Sequence, residues 1–195
     1  MLKPKIAEKL GLTFTTAAHL QAESMREMLL TEPTSKFLFF PLGNIMSGYY
    51  DGLEINLFDF HFVTRYPRQG TPQPAQKTVV TFDVLHLTLP IFKFVPRHSH
   101  LTLLTPYRKV TLKQPQLYWY DHLILHHPDY QMGPIIKKLF AGKLADLAQL
   151  IGRDGHFLSD GARVYFHQNK ILEPNIDDYV NLIDTGRRSL RMLIR

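Results

Sequence analysis

The stretch NIMSGYYDGLEINLFDFHFVTRY, residues 44–66, decides the fold. Ile45, Leu53, Ile55, Leu57 and Val63 stand among Tyr49, Tyr50, Phe58, Phe60 and Phe62, a concentration of strand formers rather than a helical stripe. Asp51-Gly52 separates two such runs. Asp-Gly between β-formers is a strong hairpin signal, so the stretch reads as two antiparallel strands.

Downstream, RYPRQGTPQPAQ (65–76) holds three prolines and a glycine and reads as a loop at a hairpin tip, excluded from any strand. KTVVTFDVLHLTLP (77–90) returns as a strand, and IFKFVPR (91–97) follows as a short one, so the first half is an antiparallel meander. HSHLTLLTPYRKVTLKQPQ (98–116) has no clean period and reads as an irregular or short-strand connection. YWYDHLILHH (118–127) resumes a strand. PIIKKLFAGKLADLAQLIG (134–152) carries one helical apolar stripe through Gly142. GHFLSDGARVYFHQNKIL (155–172) is a second hairpin about Asp160-Gly161. The last segment, 173–195, is an amphipathic helix with Pro174 in its first turn, Asp177 and Asp178 at its positive end, and Arg187, Arg188, Arg191 and Arg195 at its negative end.

Upstream, PKIAEKLGLTF (4–14) reads as a short helix stopped by Gly11 and an extended entry, and residues 17–30 read as a second helix, ended by Glu32-Pro33. Regular βαβ alternation is absent. The order predicts an α+β fold: a mostly antiparallel sheet of hairpins with helices packed on one face, as a single domain over 1–195 with a helical lead-in at 1–33.

Several of these segments together resemble a known family. LGLTF, the G-x-x-DG-x-E-I-x-L-F-D-F-x-F-x-T hairpin, K-T-V-V-T-F and L-P-I-F-x-F-V-P-R are similar to the pattern of a functionally uncharacterised bacterial α+β domain family, best over 44–96. Its members often carry the domain behind one or two transmembrane helices, while others are soluble. The matching positions are turn and core residues, so the resemblance implies a fold and no catalytic residue.

Composition excludes several chemistries. Cysteine is absent, which removes disulfides, thiolate zinc sites, iron–sulfur clusters and a cysteine nucleophile. At 21 % charged residues, with apolar runs of only a few residues, no segment approaches the roughly 20 apolar residues of a membrane-spanning helix, and the N-terminus lacks a signal-peptide core. A cytoplasmic location is expected, peripheral to the membrane at most. The net charge of +6 suits a partner with an acidic surface, an anionic membrane or, less well, nucleic acid.

The candidate chemical residues fall into two sets. His98 and His100, at i and i+2, share one side of an extended chain, and with His126 or His127 they would make a three-histidine metal site with an open position. His122 and His126, four apart on a strand, are roughly 13 Å apart and cannot share an ion without a bend. The binding set is Arg68 in the proline-rich tip, Tyr118 and Tyr120 on one strand face, and Arg187, Arg191 and Arg195, an i, i+4, i+8 stripe. Trp119 and the leucines of that strand read as core. No nucleophile elbow, phosphate loop or dinucleotide fingerprint occurs, and Asp59 reads as outward-facing or at a sheet edge. The expected function is a non-enzymatic accessory or interaction domain without cofactor, binding a protein or small ligand. The alternatives are a histidine-based metal enzyme and a nucleic-acid binder using basic and aromatic surface.

Overall fold

A computed structural model describes residues 3–17, 29, 43–64, 73–96, 108–110, 122–126, 133–168, 170 and 172–195. Among them, nine strands form one antiparallel sheet. The strands are β1 (Thr13–Ala17), β2 (Gly43–Tyr50), β3 (Leu53–Thr64), β4 (Gln73–Asp83), β5 (Phe92–Pro96), β6 (Arg108–Lys109), β7 (His122–His126), β8 (Gly155–Ser159) and β9 (Arg163–Gln168). The helices are α1 (Lys3–Lys9), α2 (Gly133–Phe140), α3 (Leu144–Ile151) and α4 (Ile176–Ile194). The α+β fold with an antiparallel sheet is the one the hairpin pattern predicts.

Turn chemistry sets the β2–β3 register. Tyr50 pairs with Leu53, and the two residues between them, Asp51 and Gly52, have φ of +48° and +79°, the left-handed pair a two-residue hairpin requires. At the second hairpin, Asp160 Oδ1 accepts from Ala162 N (2.9 Å) and Arg163 N (2.6 Å), closing the turn locally.

The sheet order, β1-β2-β3-β4-β9-β8-β5-β7-β6, interrupts the meander. The β8–β9 hairpin, late in sequence, inserts between β4 and β5. Its effect is a continuous cross-strand row: Phe14, Met46, Leu57, Val80, Phe166, Phe157, Phe94 and Ile124 are successive partners across eight strands. From Met46 to Ile124 every member is buried, each large side chain contributing about 1.5–3 kcal/mol of transfer free energy.

The helices cover this row. Phe140 of α2 meets Phe92 edge-on at a centroid distance of 5.0 Å. A side chain at Gly155 would collide with Ile151 of α3, and one at Gly186 with Phe82 and Phe166, so glycine permits the close approach of α3 and α4. Ile6 and Ala7 of α1 join the same core. The opposite face is buried as well, through Phe58, Lys77, Val79, Tyr165, Leu158, Val95 and the histidines His156 and His167. There the Leu29 carbonyl, in a helical and fully buried residue, accepts from Lys77 Nζ at 3.1 Å.

Five sequence expectations are corrected. The strand expected over 77–90 ends at Asp83, and Leu85–Leu87 form a 3₁₀ turn. Residues 73–76 belong to β4, with Pro74 opposite Val63; pairing with β9 begins only at Val79, so at Pro74 the strand has β3 alone as its partner among the described residues. The stripe at 134–152 is two helices, because Gly142 takes φ +72° and ends the first. Pro174 precedes α4, whose N-cap is Asn175, with Asp177 N donating to its Oδ1 at 3.2 Å. Asp59 faces the helices and is 1 % exposed. Of the second expected helix, 17–30, Ala17 ends β1, Leu29 is helical, and the rest lies outside the described residues.

Candidate functional site

Two amphipathic helices bury their apolar faces and leave a basic groove between their outer faces. On α4, Tyr179, Leu182, Ile183, Gly186, Ser189, Leu190 and Leu193 are buried, which turns the intervening arginines outward. On α3, Leu144, Leu147, Ala148 and Ile151 are buried, leaving Asp146 and Gln149 exposed. The start of α3 is tied to the end of α4 by Lys143 Nζ, which donates to the Leu193 carbonyl at 2.8 Å and satisfies an open helix-end acceptor.

The resulting groove encloses about 820 Å³ and is lined by Asp146, Gln149, Leu150, Arg188, Arg191, Met192 and Arg195. Three guanidinium groups face one carboxylate, and Leu150 and Met192 supply apolar surface. Arg188 and Arg195 make no ion pair among the described residues. Arg191 Nη2 lies 3.4 Å from Asp51 Oδ2 at the β2–β3 hairpin tip. Arg187 lies outside the groove: it pairs with Asp51 and, at 3.1 Å, with Asp184, and its side chain is 18 % exposed.

The structure divides the predicted arginine stripe. Arg191 and Arg195 line the groove, Arg187 serves the hairpin contact, and Arg188, absent from the i, i+4, i+8 set, takes the third place. The i, i+3, i+7 spacing of Arg188, Arg191 and Arg195 was present in the sequence; the turn of the helix relative to α3 selects it. Arg68, Tyr118, Trp119, Tyr120, His98, His100 and His127 lie outside the described residues. His126 closes β7, its backbone opposite Arg108. No cluster of three or more histidines or carboxylates fit to hold a metal occurs among the described residues. His122 is buried, its Nε2 3.1 Å from the Gly155 carbonyl and its ring 4.9 Å from that of Phe94.

Two buried polar clusters escaped the sequence reading. Asp59 accepts from Lys3 Nζ, from Asn44 Nδ2 at 2.7 Å and from Thr78 Oγ1 at 3.1 Å, pinning α1 and the start of β2 to the sheet. Burial, followed by the nearby Asp59 and Asp178 charges, pushes the Tyr179 phenol up to about 12. On the opposite face the His156 and His167 rings stack at 4.4 Å. Burial above all, then the positive charge of Lys77 and the neighbouring His156, holds His167 well below its ordinary value, so it is neutral at pH 7. Asp59, Thr78 and both histidines are buried, while Lys3 and Asn44 are partly exposed.

No family model and no curated protein sequence matches the chain. Among solved structures, the crystal structure of the mycobacterial trehalose monomycolate transport factor A, TtfA, superposes with a TM-score of 0.65 over 98 % of this chain and 93 % of that one. The two share a fold. At 8 % identity the likeness concerns the backbone arrangement alone. No helix among the described residues is long and apolar enough to cross a membrane.

Proposed function

We propose that this protein is a non-enzymatic accessory domain that docks an acidic, partly apolar segment of a partner protein in the α3–α4 groove, in a cytoplasmic setting. The groove lining carries the reading: three arginines against one aspartate, beside Leu150 and Met192. Arginine presents a planar fork of donors that reads carboxylates in pairs, and apolar surface beside it is the usual make-up of a protein-binding patch. Arg188 and Arg191 of α4 and Arg195, its C-cap, are separated by seven residue steps in all, about 10.5 Å at helical rise, which matches carboxylates at i, i+3 and i+7 of an amphipathic helix. A concave groove favours such a segment over a flat bilayer surface. An accessory role is consistent with the fold shared with a transport factor.

Fluorescence anisotropy with a labelled peptide carrying glutamates at that spacing, and leucines beside them, tests the proposal. Binding at low salt should weaken as salt rises, and the double change Arg188→Glu with Arg195→Glu should weaken it at least ten-fold, about 1.4 kcal/mol or more. Equal binding of a scrambled acidic peptide, or no loss in the double variant, refutes it. Tighter, groove-dependent binding of anionic vesicles or single-stranded nucleic acid would replace the protein partner with that ligand.

A further inference from the structure

The central cation of the groove is already in contact with a carboxylate of the chain itself. Arg191 lines the groove and also pairs with Asp51, 140 residues away in sequence, at the tip of the β2–β3 hairpin. The turn does not require that charge: its left-handed first position is served as well by asparagine. Nor does anchoring of the tip require Arg191, because Arg187, better buried and held by Asp184, also grips Asp51. With 49 % and 55 % of their side chains exposed, Arg191 and Asp51 form a weak, water-accessible pair that a second carboxylate can replace.

We infer that Asp51 is an internal stand-in for the partner's carboxylate: the hairpin tip holds Arg191 while the groove is empty and yields it when the acidic segment docks. The inference rests on the groove reading above and adds its regulation. Arg187 keeps the tip in place during the exchange, so only the Arg191 guanidinium changes partner. Anything that moves the β2–β3 tip toward or away from α4 thereby tunes the affinity of the groove.

The test uses the same glutamate peptide and the full chain. Asp51→Asn keeps the turn chemistry, removes the competing charge, and should bind two- to five-fold more tightly at low salt, the gain fading as salt screens the pair. Glu54→Gln, an equal charge change at an exposed site on the same hairpin, should leave affinity unchanged. In an Arg191→Gln background, Asp51→Asn should give no gain. Peptide binding by the wild type with no gain in Asp51→Asn, an equal gain in Glu54→Gln, or a gain that persists without Arg191 overturns the inference and leaves the groove reading standing. Failure of both wild type and Asp51→Asn to bind the peptide overturns the groove reading and the inference with it.

Discussion

Replacing Gly186 with alanine tests the packing that positions the groove. An added Cβ would lie 2.7 Å from Phe82 Cε2, 3.0 Å from Cζ and 3.1 Å from Phe166 Cβ, whereas ordinary contact begins near 3.4 Å. Relief at Phe82 needs a displacement of about 0.7 Å, and both phenylalanines are fully buried in the sheet, so α4 must lift or the rings must leave their rotamers. Overpacking of this kind costs about 1–3 kcal/mol, and collision at three atoms argues for the upper part, about 2–3 kcal/mol. Alanine returns about 1 kcal/mol of helix propensity at a mid-helix position. The expected net loss is about 1–2 kcal/mol, a fall in Tm of about 2–8 °C for a chain of this size. Thermal unfolding followed by circular dichroism measures it, and pairing the change with Phe82→Leu should recover at least about 1 kcal/mol as coupling energy, because the ring that collides is gone. A rise in Tm for Gly186→Ala alone would mean that propensity acts unopposed and that α4 does not approach the sheet at this point.

Further outcomes follow from the buried polar groups. His167 has a folded-state pKa well below its ordinary 6.5, so stability is fully present above pH 6.5; below that, the unfolded chain binds the extra proton and about 1.4 kcal/mol is lost per pH unit until the folded pKa is reached. Urea titrations at pH 7.0, 6.0 and 5.0 should show this slope, and His167→Phe should flatten it; an unchanged slope in the variant contradicts the assignment. Asp59→Ala strands Lys3, Asn44 and Thr78 donors and should cost about 3 kcal/mol, whereas Lys3→Ala should cost clearly less because two donors to Asp59 remain. Equal losses in chemical denaturation would mean that the Lys3 pair dominates the cluster. Asn175→Ala removes the side-chain cap of α4 and should lower stability by about 1 kcal/mol in the same measurement, with no change expected from Asn175→Asp.

The local elements were legible because their causes are local. Asp51-Gly52 and Asp160-Gly161 demand turns wherever they occur between β-formers, and the apolar stripe of α4 is a property of its own spacing. Residues 73–76 are hidden as a strand by their prolines, because where β4 pairs with β3 and not yet with β9 it tolerates residues that a central strand excludes. The break at Gly142 was hidden because α2 and α3 both bury apolar residues, so the stripe continues across the turn. Asp59 reads as outward or at an edge of an alternating run, yet it shares the buried face of Ile55 and Leu57; its partner Lys3 lies 56 residues earlier, and no spacing rule connects the two.

The sequence by itself determined the class of fold, the antiparallel hairpins, the amphipathic C-terminal helix and the arginine-rich character of its exposed side. Those properties follow from backbone preference and hydrophobic period within a dozen or so residues. Only the tertiary structure decided that the late β8–β9 hairpin lies between β4 and β5, that Arg188 rather than Arg187 faces the groove, and that Asp51 reaches Arg191. Each depends on contacts between segments distant in the chain, where burying the aromatic row and seating α4 on Gly186 fix the helix rotation, and thereby which charges meet.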